Sequence, residues 1–187
     1  MSILVKTAWS LRLAREADIS ALKNLIALSS RGLRANYYSA AQIEAALGSV
    51  FGVDRQLIRD ATYFAGVAGD GQLIGCGGWS KRKTLFGSDH QTGRDDAELD
   101  PAREPARIRA FFVHPDWARR GIGHAILEVC EKAIREAGFS SIELAATLPG
   151  EPFYAAFKYS ALERYDVPLT NGLSLPVVRM RKYLTPK

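Results

Sequence analysis

The sequence predicts a single mixed α/β domain, and three observations carry that prediction. Helix-patterned and strand-patterned segments interleave along the chain. Two pairs of strand-like segments are joined by Gly/Asp or Asn-Gly turns. One apolar strand runs through a short turn into a helix that opens on glycines. With 187 residues, 47% hydrophobic and 24% charged, the chain is long and apolar enough to bury one core, which excludes a disordered chain.

The elements follow in order. Trp9 to Ala14 alternates as a first strand. Asp18 is placed to cap a helix carrying Ile19, Leu22, Leu25, Ile26 and Leu33 on one face. Ser39 followed by Gln42 forms a capping box for a second helix, whose apolar side holds Ile43, Ala46 and Leu47. A short helical piece is expected over 54–59. Thr62–Ala68 and Gln72–Ser80 read as strands joined by Gly69-Asp70-Gly71, residue types that tolerate positive φ. The polar stretch 81–105 reads as a long loop, functional or mobile.

Order returns with a strand over 107–113, ended by His114-Pro115. The helix from Gly121 to about Ala137 buries Ile122, Ala125, Ile126, Val129, Cys130, Ala133 and Ile134, and Gly138 stops it. Ser141–Ala146 is a further strand, and a short helix through Phe157 follows Pro149-Gly150. Leu162–Leu169 and Leu175–Tyr183 form a last hairpin across Asn171-Gly172.

Composition narrows the function classes. The net charge of +5, from 25 basic and 20 acidic residues, suits an anionic ligand, but no basic run marks a nucleic-acid partner. Cys76 and Cys130 sit in apolar stretches as buried thiols, and their spacing supports no metal site. No stretch reaches the length of a membrane span. The apolar run in Met1–Lys6 is too short for a signal peptide, so a cytoplasmic location is expected.

The chemistry is concentrated at one junction. Phe111-Phe112-Val113 feeds a turn, then Arg119-Arg120, then Gly121-Ile122-Gly123-His124 at the start of an amphipathic helix. N–H groups in a first helical turn lack intrahelical partners and carry the positive end of the helix dipole. Glycines allow close approach, and the arginines add charge-assisted contacts. The junction therefore reads as a phosphate site. It lacks the third glycine of a dinucleotide fingerprint and the Gly-Lys-Ser/Thr ending of a triphosphate loop.

At these residues the chain resembles the GNAT superfamily of N-acetyltransferases, which carries Gln/Arg-x-x-Gly-x-Gly/Ala after such a strand and turn. A second block, Pro152-Phe153-Tyr154-Ala155-Ala156-Phe157-Lys158-Tyr159, is similar to the family's Phe-Tyr-x-x-x-Gly-Phe, and the order of elements matches from Trp9 to Lys182. The resemblance implies one GNAT-like domain over residues 1–187. Its sheet would be mixed and mostly antiparallel, flanked by helices, with a central parallel strand pair that splays near Val113 and Leu144. It further implies transfer of acetyl from acetyl-CoA to a primary amine by direct attack in a ternary complex. The amides of Arg119, Arg120, Gly121, Ile122, Gly123 and His124 would hold the pyrophosphate. Val113 would pair with pantetheine, the Phe111 N–H would face the thioester carbonyl, and Tyr154 would protonate the leaving thiolate.

Three residues depart from the family pattern. Ala118 stands where Gln or Arg is common, Lys158 replaces the glycine of the second block, and Arg107 occupies a position where several members place a Glu base. The base is therefore unassigned, with Asp95, Asp96, Glu98, Asp100 and Glu104 as loop candidates that read more readily as solvated residues. His114 reads as a turn residue, Trp79 as pocket or core, Phe86 as pocket, and Glu151 as a helix cap. A non-catalytic acetyl-CoA-binding module is the alternative reading, and a different nucleotide-binding enzyme a further one. The expected partner is an amine acceptor, with no nucleic acid, membrane or metal, and the chain is expected as monomer or homodimer.

Overall fold

The structure, a computed structural model, describes residues 8–184, so the reading of Met1–Lys6 lies outside the described residues. Strand β1 (Trp9–Leu13) leads through a single 3₁₀ turn into helix α1 (Ile19–Arg34). Asp18 precedes α1 but does not cap it with its side chain. Its carboxylate instead takes two hydrogen bonds from Arg12, at 2.7 and 2.9 Å, and one from the Arg15 N–H at 2.8 Å. Two guanidinium donors outcompete a cap here. Helix α2 (Ala40–Ala46) does start with the expected capping box, Ser39 and Gln42 each bonding the other's backbone. Helix α3 (Arg55–Arg59) is capped by Asp54.

Strands β2 (Tyr63–Ala68) and β3 (Leu73–Ser80) form the first hairpin, with Gly71 at φ +90. Strand β4 (Ala106–Val113), helix α4 (Ile122–Glu136), strand β5 (Ser141–Thr147) and helix α5 (Glu151–Ala156) follow, and β6 (Ser160–Pro168) and β7 (Ser174–Tyr183) close the chain as the second hairpin. The strands join one sheet in the order β1-β2-β3-β4-β5-β7-β6. All neighbours are antiparallel except β4 and β5. That parallel pair holds register only at Ala106↔Ile142 and Arg107↔Glu143, and beyond them the two strands diverge.

Each sheet face carries its own core. Helix α4 packs Ile122, Ile126, Cys130 and Ile134 against Ile74, Ile108, Ile142 and Leu144. Helices α1 and α2 pack Leu22, Leu25, Ile26 and Ile43 against Ala65, Cys76, Phe112 and Val177 on the other face. The approach of α4 is close: a Cβ on Gly75 would lie 2.5 Å from Cγ2 of Ile122, so β3 needs a glycine there. Leu33, expected on the buried face of α1, is 37% exposed, and the stripe runs through Ser29, Ser30 and Arg34 instead.

The 81–105 stretch is a folded appendage rather than a free loop. Its two limbs bond across Lys83–Ala97, Thr84–Asp95 and Leu99–Lys81, and Leu99 is buried. Arg82 clamps Asp60 at 2.7 Å, while Arg94 and Arg109 converge on the fully buried Asp54. Cys76 and Cys130 are free and buried; burial pushes the Cys76 thiol up to about 12 and raises Cys130 as well. No helix among the described residues is long and apolar enough to cross a membrane.

Candidate active site

Divergence of β4 from β5 opens a cavity of about 650 Å³ that passes from one sheet face to the other. Gly121–His124 at the start of α4 and Phe153, Tyr154 and Phe157 in and just after α5 line it on one side, and Ser29, Arg34 and Phe51 on the other. Residues 108–113 and 144–147 of the separated strands form its walls.

The end of the cavity at the start of α4 is built from backbone. Arg119 at φ +65 and Gly121 at φ +83 curl the chain into the first turn of α4, whose start has no side-chain cap. The next N–H in sequence with a helical acceptor is that of Ala125, bonded to the Gly121 carbonyl at 3.0 Å. Arg119 lines the cavity, whereas Arg120 lies over the Trp117 ring at 5.0 Å and does not line it. His124 lines the cavity, its ring tilted against Phe157 at 4.8 Å and its Nε2 3.3 Å from Glu128.

The strand β4 supplies the middle. Phe111 and Val113 lie past the last register point with β5, and both line the cavity. The Val113 N–H donates to Ser29 Oγ at 3.2 Å. Tyr38 braces the open end of β5 by accepting from the Leu148 N–H at 2.8 Å and donating to the Pro176 carbonyl at 2.7 Å. Tyr154 sits at the centre of an aromatic group, 6.1 Å from Phe111 and 5.0 Å from Phe153 between ring centroids. Its hydroxyl has no hydrogen-bond partner among the described residues. Burial lifts the Tyr154 phenol above its ordinary range, Arg34 pulls it down and Cys130 pushes it up, so the net result is a proton held at neutral pH.

The loop carboxylates stay away from this centre. None of Asp95, Asp96, Glu98, Asp100 and Glu104 lines the cavity, and among the described lining residues there is no Asp or Glu at all. Glu98 pairs with Lys81 at 2.7 Å, Asp96 with Arg94 at 2.9 Å, and Glu104 accepts from the Asp100 N–H at 2.7 Å. Arg107 is tied to buried Glu143 at 2.8 Å. His114 is a turn residue, its Nδ1 accepting from the Asp116 N–H at 3.2 Å. Trp79 belongs to the α4 core, edge-on to Phe139, while Phe86 does line the cavity. Glu151 pairs with Arg164 at 2.6 Å. No group of three His, Cys, Asp or Glu among the described residues is placed to hold a metal.

The model of the acetyltransferase (GNAT) family matches residues 31–159, well over half of the chain. The chain belongs to the GNAT family. Solved GNAT structures share the fold throughout. A GCN5-related N-acetyltransferase from Rhodopseudomonas palustris superposes with a TM-score of 0.69 at 21% identity, covering 98% of this chain and 100% of that one. The PaiA N-acetyltransferase of Thermoplasma acidophilum, solved with coenzyme A, gives 0.61 at 15% identity, with 95% and 99% covered. A GNAT family acetyltransferase from Brucella melitensis, solved with acetyl-CoA, gives 0.56 at 16%, with 96% and 90% covered. At these identities the likeness is one of fold. No curated protein matches the chain.

Within this GNAT chain the second sequence block has a structural explanation. Lys158, which replaces the block's glycine, adopts φ +68, the left-handed conformation for which glycine is the unstrained choice. Sequence reasoning missed Ser29 and Arg34 as cavity residues. A signal for them existed: Ile26, Ser30 and Arg34 are spaced by four, as are Leu25 and Ser29, so polar residues continue the buried stripe of α1.

Proposed function

We propose that this single domain is an acetyl-CoA-dependent N-acetyltransferase that acts on a primary amine by direct attack in a ternary complex. The observation that supports it most is the cavity through the sheet, which runs from an uncapped helix start on one face to Ser29, Arg34 and Phe51 on the other. Such a passage suits a long ligand with an anionic end. The residues present fit acetyl-CoA. For the pyrophosphate there are N–H groups at Ile122, Gly123 and His124 without helical acceptors, with Arg119 in the lining and Arg120 next to it over Trp117. For pantetheine there is a β4 edge at Val113 that β5 does not pair with, its N–H held by Ser29. When bound, acetyl-CoA supplies an activated acetyl group whose C–S bond is exchanged for a C–N bond to the amine.

The chain's own residues then orient and protonate. Phe111 places its backbone in the cavity wall beyond the last β4–β5 register point, where an N–H donor stabilises negative charge on an acyl oxygen. Tyr154 holds a phenolic proton in the same space and hands it to the departing sulfur. Ser29 releases the Val113 N–H when its side chain turns about the Cα–Cβ bond and a strand-like ligand takes the place of its Oγ. Calorimetric titration with acetyl-CoA, with ATP and NAD as controls, tests the reading. Selective saturable binding, followed by amine-dependent thiol release, is expected. Selective binding with no thiol release across a broad amine panel would leave a binding module instead, and no binding by folded protein would end the assignment.

A further inference from the structure

Arg34 is the last residue of α1, is only 8% exposed, and lines the cavity. Its guanidinium carbon lies 4.9 Å from the ring centroids of both Phe51 and Phe112. One terminal nitrogen reaches Ser29 Oγ at 3.5 Å, and its buried Nε has no partner. No carboxylate pairs with it among the described residues. Arg109, the other arginine buried this deeply, and the partly buried Arg107 also leave Nε without a partner, but each meets a carboxylate, Asp54 at 2.7 Å and Glu143 at 2.8 Å.

A buried cation with no counter-ion is unfavourable unless a ligand supplies one. Aromatic faces offset only part of that cost. Burial pushes the Arg34 guanidinium down to about 10, which still leaves it charged at neutral pH. The phosphate-type site does not neutralise it. Phe112, against which Arg34 packs, belongs to the α1 face of the sheet, whereas the α4 start belongs to the opposite face. With no Asp or Glu in the lining, the far end of the cavity is cationic and aromatic.

We propose that Arg34, with the Ser29 hydroxyl, binds a carboxylate of the acceptor, so that the acceptor is an amine that also carries a carboxylate, such as an amino acid. One cation and one hydroxyl match a single negative charge shared by two oxygens, and the fork of a guanidinium fits a carboxylate plane. The same surroundings disfavour the ammonium form of the bound amine, because a like charge lowers the pKa of a cation. The nucleophile thus becomes available with its proton lost to solvent, in a cavity that holds no carboxylate base. Polycationic amines are rejected by the same field.

The inference rests on the acyltransferase reading for its reaction but not for its binding site, and the test separates the two. The protein is titrated calorimetrically with 3-phenylpropionate and with 3-phenylpropionamide, with and without saturating acetyl-CoA, and the titrations are repeated on Arg34→Met and Arg34→Lys. The acid is expected to bind at least about tenfold tighter than the amide. The preference should fall to about onefold in Arg34→Met and recover in part in Arg34→Lys. Equal affinities, or no acid binding, in the wild-type protein overturn the site without any variant. A preference that survives in folded Arg34→Met places the anion elsewhere and also overturns it. Failure of acetyl-CoA to bind counts against the acyltransferase reading alone, since the acid–amide comparison still judges Arg34.

Discussion

Replacing Gly121 by Ala and by Glu separates the strain at the start of α4 from the electrostatics of the proposed phosphate site. Gly121 has φ +83 and ψ 0, and a Cβ built on it meets nothing within 4 Å. Both variants therefore carry the same backbone penalty with no clash, about 1–2 kcal/mol for an L-residue in the left-handed region. For a chain of this size that lowers Tm by about 2–8 °C, read by calorimetry. Only Glu also places a carboxylate at the uncapped helix start. At about 6 Å from one phosphate charge and an effective dielectric constant of about 20, the repulsion is about 3 kcal/mol. Acetyl-CoA affinity should therefore fall about 100-fold or more in Gly121→Glu relative to Gly121→Ala. Salt should narrow that gap, because partly exposed charges are screened. Equal dissociation constants for the two variants, with both folded, would refute the placement of phosphate at α4.

Three further outcomes are expected. Tyr154→Phe should keep acetyl-CoA affinity within about twofold while lowering the turnover of thiol release by about 100-fold, the lower range for loss of a general acid; unchanged turnover would assign the proton to water. Glu143→Gln should cost about 3 kcal/mol in chemical denaturation, since Arg107 stays buried without its partner while Arg179 and Arg181 can turn to water. Burial opposes the Glu143 carboxylate, yet hydrogen bonds from Arg181 and Arg179 with the charge of Arg107 hold it below its ordinary 4.5. Its stabilisation is thus present above that pH and lost on acidification through the lower folded value, and the variant should show a shallower acid limb. Gly75→Ala should lower stability by about 1–3 kcal/mol and weaken acetyl-CoA binding together, because the new methyl meets Ile122 at the start of α4.

Local chemistry made much of the fold legible. The Ser39–Gln42 box, the Gly71 and Gly172 turns and the glycine-started α4 are each specified within a few residues, and each appears where the pattern places it. That the start of α4 lacks a side-chain cap and lines the cavity follows from the same local chemistry. The rest depends on partners distant in sequence. Asp18 reads as a cap until Arg12 takes its carboxylate. The 81–105 stretch reads as an unstructured loop because the ions that fold it, Asp54 and Asp60, lie at the two ends of α3. Leu33 outranks Arg34 on any hydropathy scale, yet in the fold the leucine is exposed and the arginine is buried against Phe51 and Phe112.

Strand β4 shows how one residue invisible to periodicity positions the whole site. Ala106 and Ile108 face the α4 core, so strict alternation would send Ala110 and Phe112 there too. Ala110 instead adopts φ +55, and the β3–β4 register shifts between Cys76 and Gly78, the signature of an inserted residue. Beyond it the parity is reversed: Phe111 and Val113 pack with α4 and Tyr154, while Phe112 turns to α1 and Arg34. The strained carbonyl of Ala110 accepts from the Tyr63 hydroxyl at 3.3 Å and is approached by the Cys76 thiol at 3.8 Å, both from fully buried side chains that keep the bulge in place. Strain of this kind persists only where its surroundings over-determine it. Here it lets adjacent phenylalanines serve opposite ends of one cavity, Phe111 beside the proposed acid Tyr154 and Phe112 against the cation of Arg34. Without the bulge, Phe111 would face α1 and the wedge would lose the side chain that joins β4 to Tyr154.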